Sequence, residues 1–168
     1  MSRLRLLIFH LSLAVWLGST GFLFLSAGSV FTSVAPYKGQ HPELAAKVVG
    51  GIFDSYIWVL LLAGIPNLAS LFWPGPGRHH FPRRIIVALL ITTLLIGFWQ
   101  IAMRPHVVEA GIAMRNAPEG PEGAPIRKRF GQLHGLTFVS ALLALILQGY
   151  SLGQSITLLE SGNGPQPT

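Results

Sequence analysis

The chain has 168 residues, 51% apolar and 11% charged, against roughly 25% charged in soluble proteins, which argues against a soluble enzyme or a chain disordered as a whole. The formal net charge of +6 and pI near 10.6, at a mean hydropathy of +0.54, fit basic loops beside anionic lipid better than nucleic-acid binding. The absence of cysteine excludes disulfides, thiolate catalysis, cysteine metal sites and cysteine-linked haem.

Four segments have the apolar length of about 20 residues that a membrane-spanning helix needs. The first covers about 4–31 and, at about 1.5 Å per residue, measures about 42 Å, so it tilts or protrudes. Arg3 and Arg5 ahead of it and Ser33-Val34-Ala35 behind it imitate a signal peptide. An apolar signal core is only about 7–15 residues long, so this segment is expected to be retained. Residues 32–49 form a polar connection with some helical character.

The second span covers about 51–73. Pro66 inside it removes a backbone donor and should kink or end the helix, and Asn67 is placed to satisfy a freed carbonyl. Residues 74–84, PGPGRHHFPRR, read as a tight Pro/Gly turn with a basic rim. The third span, about 85–103, is the cleanest, and Pro105 should bend or end it. RPHVVEAGIAMRN from Arg104 can extend it beyond the membrane. The tandem triplets Pro118-Glu119-Gly120 and Pro121-Glu122-Gly123 signal a flexible linker. The fourth span covers about 131–152 and continues amphipathically toward Leu159. Trp58, Trp73, Trp99, Tyr37, Tyr56 and Tyr150 lie mostly near span ends, as interfacial anchors do.

The predicted fold is therefore all-α: an antiparallel four-helix bundle, integral to the membrane. It forms a single domain over 1–160, with a disordered tail over 161–168. With both termini on one side, that side carries Arg3, Arg5, Arg78, Arg83 and Arg84. The other carries Lys38, Lys47, Arg104, Arg115, Arg127, Lys128 and Arg129. Five charges against seven do not decide the orientation; the first helix and the compact second loop favour cytoplasmic termini, the long third loop argues the opposite, and the compact loops point to a bacterial inner membrane.

This topology gives each polar residue a depth. Call the side of the termini side A and the opposite side B. His10 falls about 10 Å in from side A and His134 about 5 Å in from side B. In a core of about 30 Å they differ in depth by about 15 Å, so they do not ligate one haem iron together within a chain. Toward side B, Asp54, Tyr56, Gln100, Arg104, Gln132 and His134 share a level, and Asp54 is expected to pair with Arg104 or His134. This cluster is either a hydrogen-bonded clasp between helices or a pocket for a proton, ion or head group. Toward side A lie His10, Ser12, Asn67 and Gln148. His10 is either a neutral imidazole donating to a neighbouring helix or a cofactor ligand or proton carrier.

Arg78, Arg83 and Arg84, and Arg127, Lys128 and Arg129, read as lipid head-group contacts. Two adjacent histidines, His79 and His80, make a poor metal motif without a carboxylate, and no metal site is expected. Three pairs of small residues lie four apart: Ala14 and Gly18, Gly131 and Gly135, Gly149 and Gly153. Such pairs let helix backbones approach within the bundle or between subunits. Ser12, Ser19 and Ser26 add a stripe that makes helix one a central packing element. There is no Gly-rich phosphate loop, nucleophile elbow or His-Glu-x-x-His helix, and no paired carboxylates for general acid–base work.

Three stretches occur in order: His10-Leu-Ser-Leu-Ala-Val-Trp16-Leu-Gly18-Ser19, Gly51-Ile-Phe53-Asp54-Ser-Tyr56, and Phe130-Gly-Gln-Leu133-His134-Gly135. Together the chain resembles the transmembrane protein 205-like family over roughly residues 5–150. The resemblance implies a small four-helix membrane protein and no particular reaction. The family often has Ser and Asn after the helix-four His; here Thr137 stands for the Ser, and Ala141 or Leu142 for the Asn. His10, Trp16 and Gly18 also look similar to the opening helix of small haem-binding membrane families.

The functional expectation is a structural or accessory membrane subunit without catalysis, packing against another membrane protein or a second copy. Two alternatives stand beside it. One is a haem- or redox-linked protein using His10. The other is a small oligomeric transporter using Asp54, Arg104 and His134.

Overall fold

A computed structural model describes residues 3–34, 44–73 and 81–162. Helix α1 is Arg3–Val34, α2 is Leu44–Val59, α3 is Ile65–Phe72, α4 is Arg83–Phe98, α5 is Arg104–Arg115 and α6 is Ala124–Gly162. Among the described residues there is no strand. Among the described residues three helical stretches are long and apolar enough to cross a membrane: Leu4–Leu23, Arg83–Arg115 and Pro121–Thr157. In the second predicted span the apolar stretch is the shorter Leu62–Phe72.

Neither proline ends its helix. A π-helical segment, Leu60–Gly64, joins α2 to α3, and another, Trp99–Met103, joins α4 to α5. Pro66 and Pro105 each stand two residues past the π segment. A proline ring collides with the carbonyl four residues back. The wider turn moves that carbonyl away, and the preceding residue donates five residues back instead: Ile65 N–H to Leu60 O and Arg104 N–H to Trp99 O. Each insertion keeps the helix continuous through its proline. The same construction is used at both prolines. Asn67 does not serve a carbonyl freed by Pro66; its amide crosses to α1.

The rods pack with alternating direction. The start of α1 meets the end of α3 at Arg5 and Ser70, and Thr20 meets Tyr56 further along. Trp99 meets Thr137, and Phe130 lies against Gly111, so α4–α5 and α6 are antiparallel too. Helix α1 packs on α2, α3 and α6, and α6 packs on α1, α4 and α5. The core is Phe9, Leu13, Trp16, Ile85, Leu89 and Ala144, all fully enclosed.

Helix α1 is central, but by another face than its small residues mark. Phe9, Leu13, Trp16, Thr20 and Leu23 point inward. Ala14 and Gly18 are exposed. Trp16 fills the space beside Gly64, where an added Cβ would lie 3.7 Å from its ring.

The tandem Pro-Glu-Gly stretch is a tight corner rather than a flexible linker. Pro121–Gly123 forms a 3₁₀ turn, and Gly120 turns the chain with φ 103°. Arg127 Nη1 and Nη2 donate to Pro118 O and Gly120 O at 3.0 and 2.6 Å. A Cβ on Gly123 would collide with the Pro118 carbonyl. Helix α6 extends to Gly162, so residues 161 and 162 are helical; the rest of the predicted tail, like Tyr37 and Arg78-His79-His80, lies outside the described residues.

Candidate functional site: a polar seam through the core

Sequence depth alone grouped six residues near side B, and the structure divides them; Gln132 is exposed. Arg104, the first residue past a π segment, forms an ion pair with Asp54 of α2. Their side chains are 26% and 62% exposed, so the pair sits at the bundle's edge. Gln100, one turn earlier, has Oε1 enclosed and unpaired. Tyr56 turns inward and bonds Thr20 at 2.5 Å, so it is a core residue and not an interfacial anchor. His134 is exposed and stacks on Phe130, with ring centroids 5.5 Å apart. It takes no part in the Asp54–Arg104 pair.

His10 and His134 are further apart than the predicted 15 Å. Gly21 of α1 faces Leu145 of α6. Each histidine lies eleven residues from that crossing, in opposite directions, which places them about 33 Å apart along the bundle. The longer helices explain the difference: α6 starts before the predicted fourth span. His10 Nδ1 lies 2.8 Å from the Leu6 carbonyl. A carbonyl only accepts, so Nδ1 carries a proton and donates to it. The ring's Nε2 is enclosed without a partner.

Arg5 is the residue whose role sequence reasoning missed. It is 6% exposed. Its Nε donates to Ser70 O at 2.6 Å, and its Nη2 to Leu71 O at 2.7 Å. These are carbonyls of the last turn of α3, which have no intrahelical donor and carry the negative end of the helix dipole. The guanidinium also lies 5.2 Å from the Phe81 ring centroid, and Phe81 packs on Phe9 at 4.4 Å. Its only sequence signal was an arginine two positions past the start of an otherwise apolar helix.

Further in, Asn67 is fully enclosed. Its Nδ2 donates to Phe9 O at 3.0 Å and reaches Ser12 Oγ at 3.4 Å. At mid-height Thr20 Oγ1 donates to Trp16 O at 2.9 Å. That uses the only hydroxyl proton of Thr20, so Tyr56 is the donor in the Thr20–Tyr56 bond. The Trp16 indole and the Gln148 amide also face the Tyr56 hydroxyl, from outside hydrogen-bond geometry. A cavity of about 40 Å³ adjoins Thr20, Tyr56 and Ala144 and extends to Trp99 and Thr137. Trp99 Nε1 donates to Thr137 Oγ1 at 3.0 Å.

The basic residues also divide. Arg83, Arg84, Lys128 and Arg129 are exposed, as head-group contacts require, whereas Arg127 is committed to the Pro118–Gly120 corner. The chain matches no protein-family model, no curated protein and no solved structure.

Proposed function

We propose that this chain is an integral membrane protein of four antiparallel spans whose role is structural. It serves as a subunit that packs against another membrane protein or a second copy, with no catalysis of its own. The observation that carries this reading is the open space around its glycines. A Cβ added at Gly18, Gly131, Gly135, Gly149 or Gly153 would meet nothing within 4 Å. The small-residue pairs are therefore not spent on packing within the chain.

Gly131, Gly135, Gly149 and Gly153 fall on one face of α6, because eighteen residues make five full turns. Leu142 and Ile146 lie between them on that face, both exposed. The stretch from Gly131 to Gly153 is about 33 Å long, the height of the hydrocarbon core. In the apolar window of α6 only 6% of residues are buried, against 33% and 28% in the other two spanning stretches. Glycine costs a helix about 1 kcal/mol relative to alanine, and close backbone approach by another helix is what offsets it in a membrane. The ordered motifs shared with transmembrane protein 205-like proteins support four spans, and the second rod, α2 with α3, has the continuous length for one. Cytoplasmic termini in a bacterial inner membrane complete the reading.

The test is the native mass of the particle released from its own membrane in mild detergent. The expected mass exceeds one chain and falls to that of one chain in Gly135→Leu/Gly149→Leu. A wild-type particle of one chain, folded and stable, overturns the reading.

A further inference from the structure

The cavity of about 40 Å³ lies between α1, α2, α4 and α6. Its inner wall includes Thr20, Leu23 and Ala144, all buried. Its outer wall includes Phe53 and Trp99, both half-buried, whose ring centroids stand 5.0 Å apart. Helix α2 packs on α1, and α4 packs on α6, so this aromatic pair spans the gap between the two rods. The surface of the cavity is carbon almost throughout. We propose that it is a binding site for one small, neutral, apolar molecule, about the size of dioxygen, drawn from the hydrocarbon of the bilayer.

The polar groups of the wall select the ligand by what they have already spent. Thr20 Oγ1 donates to Trp16 O at 2.9 Å, and the Tyr56 hydroxyl donates to Thr20 at 2.5 Å. Trp99 Nε1 donates to Thr137 Oγ1 at 3.0 Å, and Thr137 Oγ1 donates to Leu133 O at 3.0 Å. No donor among these side chains remains for a guest, and Ser140 adds a single hydroxyl. A buried water needs about 2–4 polar partners, and a buried ion needs a matching charge as well. A wall of carbon supplies neither, so the cavity stays dry. An apolar guest displaces no bound water there and gains dispersion contacts with the surrounding side chains.

The volume sets the size of the guest. A dry cavity of roughly 150 Å³ takes a benzene ring, and one water fills roughly 10–15 Å³. At about 40 Å³ this cavity is wider than a water and too small for an aromatic ring. That leaves diatomic gases and single noble-gas atoms. Such molecules dissolve in hydrocarbon, and the Phe53–Trp99 side, between α2 and α4, is their way in. The lining residues Thr137, Ala141 and Ala144 lie on the side of α6 away from its glycines. The site therefore stands or falls apart from the subunit reading; only the route through the bilayer rests on the spanning helices.

Xenon is the probe that tests it, being apolar, inert and of the right size. In the full-length protein in detergent, the indole N–H resonances of the tryptophans are followed as xenon pressure rises. Trp99 lines the cavity, whereas Trp58 and Trp73 are 64% and 60% exposed. The Trp99 resonance is expected to shift along a saturating curve, and those of Trp58 and Trp73 in simple proportion to pressure. Ala144→Leu fills the cavity from its inner wall and is expected to abolish the saturable shift. A Trp99 resonance that moves only in proportion to pressure overturns the proposal, and so does saturation that survives Ala144→Leu. Should that variant fail to fold, Ala141→Leu fills the same space from a half-buried position, and the native comparison of Trp99 with Trp58 is decisive alone.

Discussion

Arg5 donates to the Ser70 carbonyl at 2.6 Å across 65 positions of sequence. The bond fastens the first turn of α1 to the last turn of α3, and a second bond to Leu71 doubles it. One planar guanidinium thus serves two helix-end carbonyls and still lies beside an aromatic ring.

Substituting Arg5→Leu removes both donors and leaves two enclosed carbonyls unserved. Hydrogen bonds to charged groups are worth about 1.5–3 kcal/mol each, so the loss of two is expected to be about 3–6 kcal/mol. Arg5→Lys should recover less than half, because an ammonium cannot match the fork. Thermal unfolding in one detergent measures both, and equal stability of Arg5→Lys and the native chain would refute the bidentate role.

The π segment before Pro105 behaves as one extra residue in the helix. Deleting Ala102 together with Pro105→Ala should restore an α-helical ladder and keep α4 and α5 on their present faces. The ion pair of Arg104 with Asp54 should survive. Deleting Leu90 inside α4 instead rotates everything beyond it by about 100° and should abolish folding. Circular dichroism and size exclusion on the two deletions make the comparison; equal tolerance of both would contradict it.

Asp54 and Arg104 form a partly exposed pair at the bundle's edge. A double-mutant cycle with Asp54→Asn and Arg104→Gln is expected to give a coupling of about 0.5–1 kcal/mol, the range for water-accessible pairs. The charge swap, Asp54→Arg with Arg104→Asp, should restore most of the stability lost by either single change. A coupling well above that range would place the pair in hydrocarbon.

The corner at 118–123 leaves no room for a side chain at Gly123. Gly123→Ala should shift the turn or separate α5 from the start of α6, at a cost of at least about 1 kcal/mol. Gly120→Ala is opposed by backbone conformation instead, since its φ of 103° suits glycine alone. Limited proteolysis near Arg115 reads the effect: cleavage should rise in both variants and in Arg127→Ala. Unchanged cleavage would show that the corner is not clamped.

The sequence by itself determined the helices, because long apolar runs separated by Pro/Gly-rich stretches have no other way to satisfy their backbone in a membrane. It also located the continuation of the third helix to Arg115 and one correct partner for Asp54. It did not reveal which way each helix faces. In α1 apolar residues fall on every side of the helix, and its serines and threonines are scattered among them, so no polar face marks the outside. Shape decided instead: the Trp16 ring fits beside Gly64, and Ala14 and Gly18 turn outward. The same ambiguity hid Tyr56 and Gln148, which sequence depth assigned to the two ends of the bundle and packing brings to one point. Arg5 counted only as a charge near a terminus, since its acceptors are backbone carbonyls that any sequence supplies. Their position at the end of α3, beside the start of α1, exists only once the rods are packed, and that packing is set by side-chain volume rather than by polarity.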